Sequence, residues 1–338
     1  MIRLVTSDWQ LDSNPRDRYR INFVVEQLPK LIDKYKVEQL LFLGDICEQK
    51  DSHPAPLVNE IVNAFHDLSQ QCEVIILQGN HDFLHNAHPF FEFVNRFKNI
   101  CWISKPTERD GCLYLPHTRD YKKDWANIGF TKDYAYIFAH NIFSGVSTNT
   151  GHALSGIPPS IFPNNAFVIS GDVHEPQTFH PVIGGSITYV GSPTLCDFGD
   201  FYQPRVLLLD DLKVKSIKVF GQQKRLVQCT WDESKPLKAR FEYPHQTSEN
   251  DIVKINVHLE MKHVSEWAII REQVEAWAIK NNFVVHAIVP VVAYEAGKRQ
   301  SIVNSSRKSD AQYLETFVGR LGVDERTAAV GKEIIELI

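Results

Sequence analysis

Two rhythms of hydrophobic positions alternate along the first 210 or so residues. Short aliphatic or β-branched runs stand at residues 2–6, 40–43, 74–77, 134–138, 166–169, 187–190 and 206–209. Between them, apolar residues recur at helix spacing. Ile21, Val24, Val25, Leu28, Leu31 and Ile32 mark a helix over 17–35 with Pro29 as a local kink, and 57–68 and 89–97 follow the same period. Apolar runs with no polar face read as strands buried on both sides. Interleaved with helices, they predict a layered α/β sandwich.

The pattern changes near Asn250. Ile252, Lys254, Asn256 and His258 alternate with Val253, Ile255, Val257 and Leu259, a half-buried strand. A helix over 264–280 and a strand over 283–292 complete a β-α-β module. Residues 296–309 are polar, Ser-rich and basic, and read as a linker. Beyond it, Ser309 caps a helix carrying Leu314, Phe317, Val318 and Leu321. Gly322 stops that helix, and Asp324 caps another with Val330, Ile334 and Ile335 on one face. The expected division is 1–225 for the α/β unit, 226–295 for the module, 296–309 for the linker and 310–338 for a helical hairpin.

Composition narrows the class. With 338 residues, 43% of them hydrophobic and 23% charged, the chain has the balance of two or three globular units, not of a disordered, collagen-like or coiled-coil protein. No run approaches the ~20 apolar residues of a membrane span. Met1 to Val5 enter a strand at once without a signal-peptide pattern, and six cysteines show no C-x-x-C pair. The expectation is a cytoplasmic protein (host cytoplasm if viral) with reduced thiols, no zinc finger and no membrane partner. The formal charge of −5 means that a polyanionic partner would be held by local basic patches or bound metal.

Polar clusters close the predicted strands: Thr6-Ser7-Asp8-Trp9-Gln10, Gly44-Asp45, Gly79-Asn80-His81-Asp82, Ala139-His140 and Gly171-Asp172-Val173-His174. Alone, each has an ordinary reading as a turn, a helix cap or a hydrogen-bonded histidine. Together, in order and each at a strand's C-terminal end, they supply the oxygen and imidazole ligands of a two-metal centre.

This order of motifs resembles the calcineurin-type metallophosphoesterases, with their D-x-H, G-D, G-N-H-[DE], lone H and G-H-x-H. Thr-Ser-Asp-Trp-Gln-Leu and Gly191-Ser192-Pro193 are similar to segments of the SbcD-type DNA repair and recombination nuclease subunits, with the compact tail closest to phage members. The resemblance implies an α/β, four-layer metallophosphoesterase sandwich with a small β-α-β capping domain facing DNA and a C-terminal helical hairpin. It implies Asp8, Gln10, Asp45 and His174 on one divalent ion and Asp45, Asn80, His140 and Asp172 on the other. His81 would be the general acid, with Asp82 orienting it. The implied partners are DNA and an SbcC-like coiled-coil ATPase, with the nuclease as a homodimer within a heterotetramer.

Two positions depart from the family pattern. Gln10 stands for a usual His, and Asp172 for the first His of G-H-x-H. Both exchange imidazole for oxygen, which moves the expected metal from zinc to manganese, with magnesium next. Arg16, Arg18, Arg20, Arg119, Lys122 and Lys123 are candidate DNA contacts, for which solvated surface charge is an equally good reading. The alternatives to a DNA exonuclease or endonuclease are a phosphomonoesterase, a cyclic-nucleotide phosphodiesterase and a catalytically weakened scaffold that binds DNA ends.

Overall fold

The computed structural model describes residues 1–85, 88–130, 132–147, 153–211, 213–232 and 250–292. Met1–Val292 form one compact unit and Ala293–Ile338 a second. The second unit, with the expected linker and hairpin, lies outside the described residues.

The first unit runs β1 (Ile2–Thr6), α1 (Arg18–Asn22), α2 (Leu28–Tyr35), β2 (Gln39–Phe42), α3 (Ala55–Ser69), β3 (Glu73–Leu77) and β4 (Ile100–Ile103). It continues through β5 (Thr107–Arg109), β6 (Cys112–Leu115), α4 (Tyr121–Asp124), β7 (Ile137–His140), β8 (Phe167–Gly171), β9 (Gln177–Phe179) and β10 (Ser186–Tyr189). Then come β11 (Arg205–Asp210), β12 (Lys213–Lys218), β13 (Lys224–Thr230), β14 (Ile252–Leu259), α5 (Trp267–Lys280) and β15 (Val284–Val292).

Two six-stranded sheets, in the orders β12-β11-β1-β2-β3-β4 and β5-β6-β7-β8-β10-β9, pack face to face. Alternation along each strand explains the unbroken apolar runs. Leu4, Leu40, Phe42, Val74 and Ile76 point into the core shared with α1, α2 and α3. Their neighbours Val5, Leu41, Leu43, Ile75 and Leu77 meet Tyr114, Phe138, Ile169 and Val190 of the second sheet. The far face of that sheet is covered by Trp125, Phe143 and Phe162 from α4, loops and turns. The fold is therefore an α/β sandwich of helices, sheet, sheet and an irregular outer layer. Each fully buried Leu, Ile or Phe contributes roughly 1.5–3 kcal/mol.

Local deviations have local causes. Pro29 has no N–H to give to Val25, and the ladder widens into a π-turn over Phe23–Gln27, with Leu28 N donating to the Phe23 carbonyl. The helix expected over 89–97 is a 3₁₀ run, Phe90–Arg96, whose buried residues Phe91 and Val94 stand three apart, the period of that tighter helix. The strand expected over 134–138 lies at Ile137–His140, so His140 is its last residue.

The third sheet, β13-β14-β15, is parallel throughout. Val253, Ile255 and Val257 face Ile270, Val274 and Trp277 of α5, while Lys254, Asn256 and His258 are half-exposed, as the alternation predicted. Among the described residues, no helix is long and apolar enough to cross a membrane, and all six cysteines are free thiols.

Candidate metal centre

Asp8 and Gln10 flank Trp9, which is buried against Phe42 and Phe65 at ring-centroid distances of 4.1 and 5.4 Å. With Trp9 anchored in the core, its two neighbours turn the opposite way, toward the C-terminal ends of the strands. The loop after β1 is laced to the loop after β2: Asp8 N donates to Gly44 O at 2.9 Å, Gln10 N to Asp45 O at 3.2 Å and Leu11 N to Ile46 O at 2.9 Å. Four expected ligands have left-handed backbone, with φ of 53° at Asp8, 47° at Gln10, 65° at Asp45 and 76° at Asp172. Such conformations persist only where the surroundings over-determine them, and they concentrate at functional sites.

The second sheet adds the facing groups. His140 Nδ1 bonds the Leu43 carbonyl, which leaves Nε2 directed at Asp45 Oδ1 at 3.4 Å and Asp172 Oδ1 at 3.9 Å. Asp172 N donates to Asp8 Oδ1 at 3.2 Å. His174 Nε2 lies 3.4 Å from Gln10 Nε2, which donates to Asp45 Oδ2 at 3.0 Å. Ser192 of the Gly-Ser-Pro segment donates through N to the His174 carbonyl at 2.9 Å and through Oγ to the Asp8 carbonyl at 2.8 Å. The structure thus brings Asp8, Gln10, Asp45, Asn80, His140, Asp172 and His174 together.

Several observations fit divalent ions. Asp8, Asp45 and His140, all buried, offer ligand atoms within 4.8 Å of one another. Asp8 Oδ2 and Gln10 Oε1 are buried with no hydrogen-bond partner, and turning the Gln10 amide over would put its oxygen where the nitrogen now faces Asp45. The Asn80 side-chain amide lies beside the same atoms, 3.1 Å from His140 Nε2 and close to both Asp45 carboxylate oxygens. Glycine makes the space: a Cβ on Gly79 would lie 2.3 Å from Asp45 Oδ1. The donors are mostly oxygen, which suits manganese or magnesium better than a thiolate-rich site would.

The charges within the cluster oppose one another. Burial raises the Asp8 carboxyl to about 6, against the pull of His140 and His174. Burial acts the same way on Asp45, but His140 and the His81 N–H outweigh it and hold Asp45 below the usual carboxylate range. Burial would lower His140, yet Asp45, Asp172 and Asp8 push it well above its ordinary value. A raised pKa contributes stability below the group's ordinary value, and that stability is lost as pH climbs through the raised one. For Asp8 the window runs from 3.8 through about 6, and for His140 it lies above 6.5. Chelated protein should therefore melt at a lower temperature at about pH 8 than at about pH 5, and manganese should raise the melting temperature more at the higher pH. Equal gains at both pH values in thermal scans would contradict this.

His81 stands at the edge of the cluster. Its N donates to Asp45 Oδ1 at 2.8 Å, and its Nδ1 is held by the Glu48 carbonyl at 2.6 Å. The expectation that Asp82 orients His81 is corrected. Asp82 is buried, and its carboxylate accepts from the backbone N of Gly79 at 2.7 Å, Asp45 at 3.0 Å and Ile46 at 2.9 Å. It braces the two loops, and Glu48 orients the imidazole.

The expected DNA contacts divide. Arg20 is corrected: it is buried, with its guanidinium on the Gln10 and Cys196 carbonyls and Glu48. Arg18 is exposed but paired with Glu60 at 2.5 Å. Arg16 is exposed beside His286 Nδ1 at 3.2 Å, Arg119 lies over the Phe83 ring at 5.6 Å, and Lys122 and Lys123 are exposed on α4. The sequence reading missed His117. It follows β6, lies 6.1 Å from the His140 ring, and is pushed down to about 4 by burial and by His140. The signal was available, a Leu-Pro-His at the end of an apolar run.

A family model described as calcineurin-like phosphoesterase matches residues 1–209. Among solved structures, a novel archaeal phosphodiesterase is similar over 64% of this chain and 99% of its own, with 14% identity and a TM-score of 0.34. Nuclease MPE of Pseudomonas putida is similar over 64% of this chain and 87% of its own, with 12% identity and a TM-score of 0.33. No curated protein matches the chain.

Proposed function

The chain belongs to the calcineurin-like phosphoesterase family, and on that premise we propose that this metallophosphoesterase is a manganese-dependent DNA phosphodiesterase, the nuclease subunit of a repair or recombination complex. The observation that carries the reading is the convergence of buried Asp8, Asp45 and His140 from both sheets, with the Asn80 side-chain amide beside them.

Asp8, Gln10, Asp45 and His174 would hold one ion, and Asp45, Asn80, His140 and Asp172 the other. Bound there, two divalent ions supply Lewis acidity that lowers the pKa of water and offsets phosphate charge. The remaining work falls to the protein. Leu43 fixes the His140 tautomer, Ser192 fixes the main chain at Asp8 and His174, and Asp82 stiffens both loops. His81, with Nδ1 engaged by Glu48, presents Nε2 as the atom from which a proton passes to the leaving sugar oxygen. Arg16, Arg119, Lys122 and Lys123 are placed to meet a phosphate backbone. The β13-β14-β15 sheet is the proposed DNA-facing cap.

The test is degradation of linear DNA by the purified full chain under manganese titration, beside a phosphate monoester. Cleavage that requires manganese, is lost on chelation and is accompanied by weak monoester hydrolysis is expected. Hydrolysis of the monoester alone would replace the reading with a phosphatase. Inactivity on both, even with ATPase and ATP, would favour the scaffold. The same reading places an SbcC-like ATPase on residues 310–338, so a chain ending near residue 300 should lose ATPase binding and retain DNA cleavage.

A further inference from the structure

We infer that Arg20 is a positioning residue of the metal centre, holding the Gln10 ligand and the His81 imidazole in register from behind. The inference rests on the reading of the cluster as a metal site.

Arg20 sits in α1, one helical turn before the π-turn, with its side chain only 4% exposed. One guanidinium nitrogen, Nη1, bonds both the Gln10 carbonyl and Glu48 Oε2, the latter at 3.2 Å. The other, Nη2, donates to the Cys196 carbonyl at 2.8 Å. Three separate loops therefore meet on one planar group: the loop after β1 with Gln10, the loop after β2 with Glu48, and the segment after Gly-Ser-Pro. Next to it, the Tyr19 hydroxyl donates to the Leu195 carbonyl of the same segment.

Each acceptor leads to a functional group. Gln10 has φ of 47°, a conformation needing external support, and its carbonyl is held by Arg20 while its amide faces Asp45 and His174. Glu48 carries the carbonyl that fixes His81 Nδ1 at 2.6 Å, and its own N donates to Leu11 O at 3.1 Å. Cys196 follows Ser192 by four residues, and Ser192 bonds Asp8 and His174.

Stability alone accounts poorly for such a residue. The one carboxylate partner, Glu48, is 40% exposed, and a buried ion pair often contributes little over an apolar replacement of equal volume. What an apolar side chain cannot do is bind three acceptors in a fixed fork. Lysine keeps the charge but has no such fork.

The experiment compares the full chain with Arg20→Lys and Arg20→Met by titrating manganese calorimetrically into chelator-stripped protein. Thermal unfolding in chelator and hydrolysis of bis(p-nitrophenyl) phosphate are followed in parallel. Both variants should bind manganese about 10–100-fold more weakly at one of two sites, the usual scale for loss of a group supporting a ligand. Arg20→Lys should keep a melting temperature close to the parent's and still not recover the affinity. Parent-like manganese binding by either variant would overturn the inference. So would affinity losses in Arg20→Lys that merely track a lower melting temperature. Should Arg20→Met fail to fold, Arg20→Lys decides alone. A parent chain that binds manganese but hydrolyses no diester would defeat the phosphodiesterase reading and leave this comparison intact.

Discussion

Replacing His81 with glutamine should slow manganese-dependent cleavage of DNA by roughly 10²–10⁴-fold, the range attributable to a general acid. The same variant should hydrolyse bis(p-nitrophenyl) phosphate at close to the parent rate. A sugar alkoxide leaves badly without a proton, whereas p-nitrophenolate needs none. Glutamine retains the backbone N–H that donates to Asp45 Oδ1, so the metal cluster keeps that contact. Rates on both substrates from one preparation give the answer. Equal slowing would assign His81 to binding or structure, and unchanged DNA cleavage would remove it from the mechanism.

Gly44→Ala should combine a large loss of activity with a large loss of stability. A Cβ on Gly44 would lie 2.7 Å from Gly79 Cα, from Gly79 N and from His140 Nδ1, on backbone with φ of +93°. Steric displacement costs about 1–3 kcal/mol. Left-handed strain on an L-residue adds about 1–2 kcal/mol. The expected destabilisation is thus about 2–5 kcal/mol, read by urea unfolding. Activity should fall about 100-fold or more, because His140 is pushed off the Leu43 carbonyl. Gly111→Ala is the control. Gly111 has φ of +71° but nothing within 4 Å of a Cβ, so it should show the strain alone and keep its activity. Equal losses at the two glycines would refute the close-packing argument.

Much of the fold was legible because the core strands are buried on both faces. Such strands as β1, β2, β3, β8, β10 and β11 leave apolar runs that no surface element imitates. β12 escaped notice because its Lys213, Lys215 and Lys218 belong to a sheet edge, where charge blocks pairing with another chain. β13 escaped because Lys224 and Arg225 open it and its partner β14 is joined only across a long crossover. β4 and β6 were missed at Ile100–Ile103 and Cys112–Leu115, where cysteines and aromatics interrupt the aliphatic run.

That Asp8, Gln10, Asp45, Asn80, His140, Asp172 and His174 would come together could be expected from sequence, because their motifs close successive strands in the order of the family they resemble. Their supports could not. Glu48 acts through its carbonyl, and any residue type has one. Arg20 looked like surface charge because position in sequence does not show that three loops close over it. The expectation that Asp82 orients His81 rests on the resemblance to a family motif, which does not show where the carboxylate points. In a loop, neighbouring side chains diverge, and Asp82 turned inward to three backbone N–H groups.

The left-handed backbone at Asp8, Gln10, Asp45 and Asp172 separates two properties that most binding sites mix. The path of the main chain, set by the core beneath Trp9 and by the lacing of the loops, determines where donor atoms can be placed. Side-chain type then determines only how hard or soft those donors are. A scaffold built this way is a socket: imidazole can give way to amide or carboxylate at a given position without redirecting the chain. Metal preference can then be altered through side-chain type at these positions while the path of the main chain stays fixed.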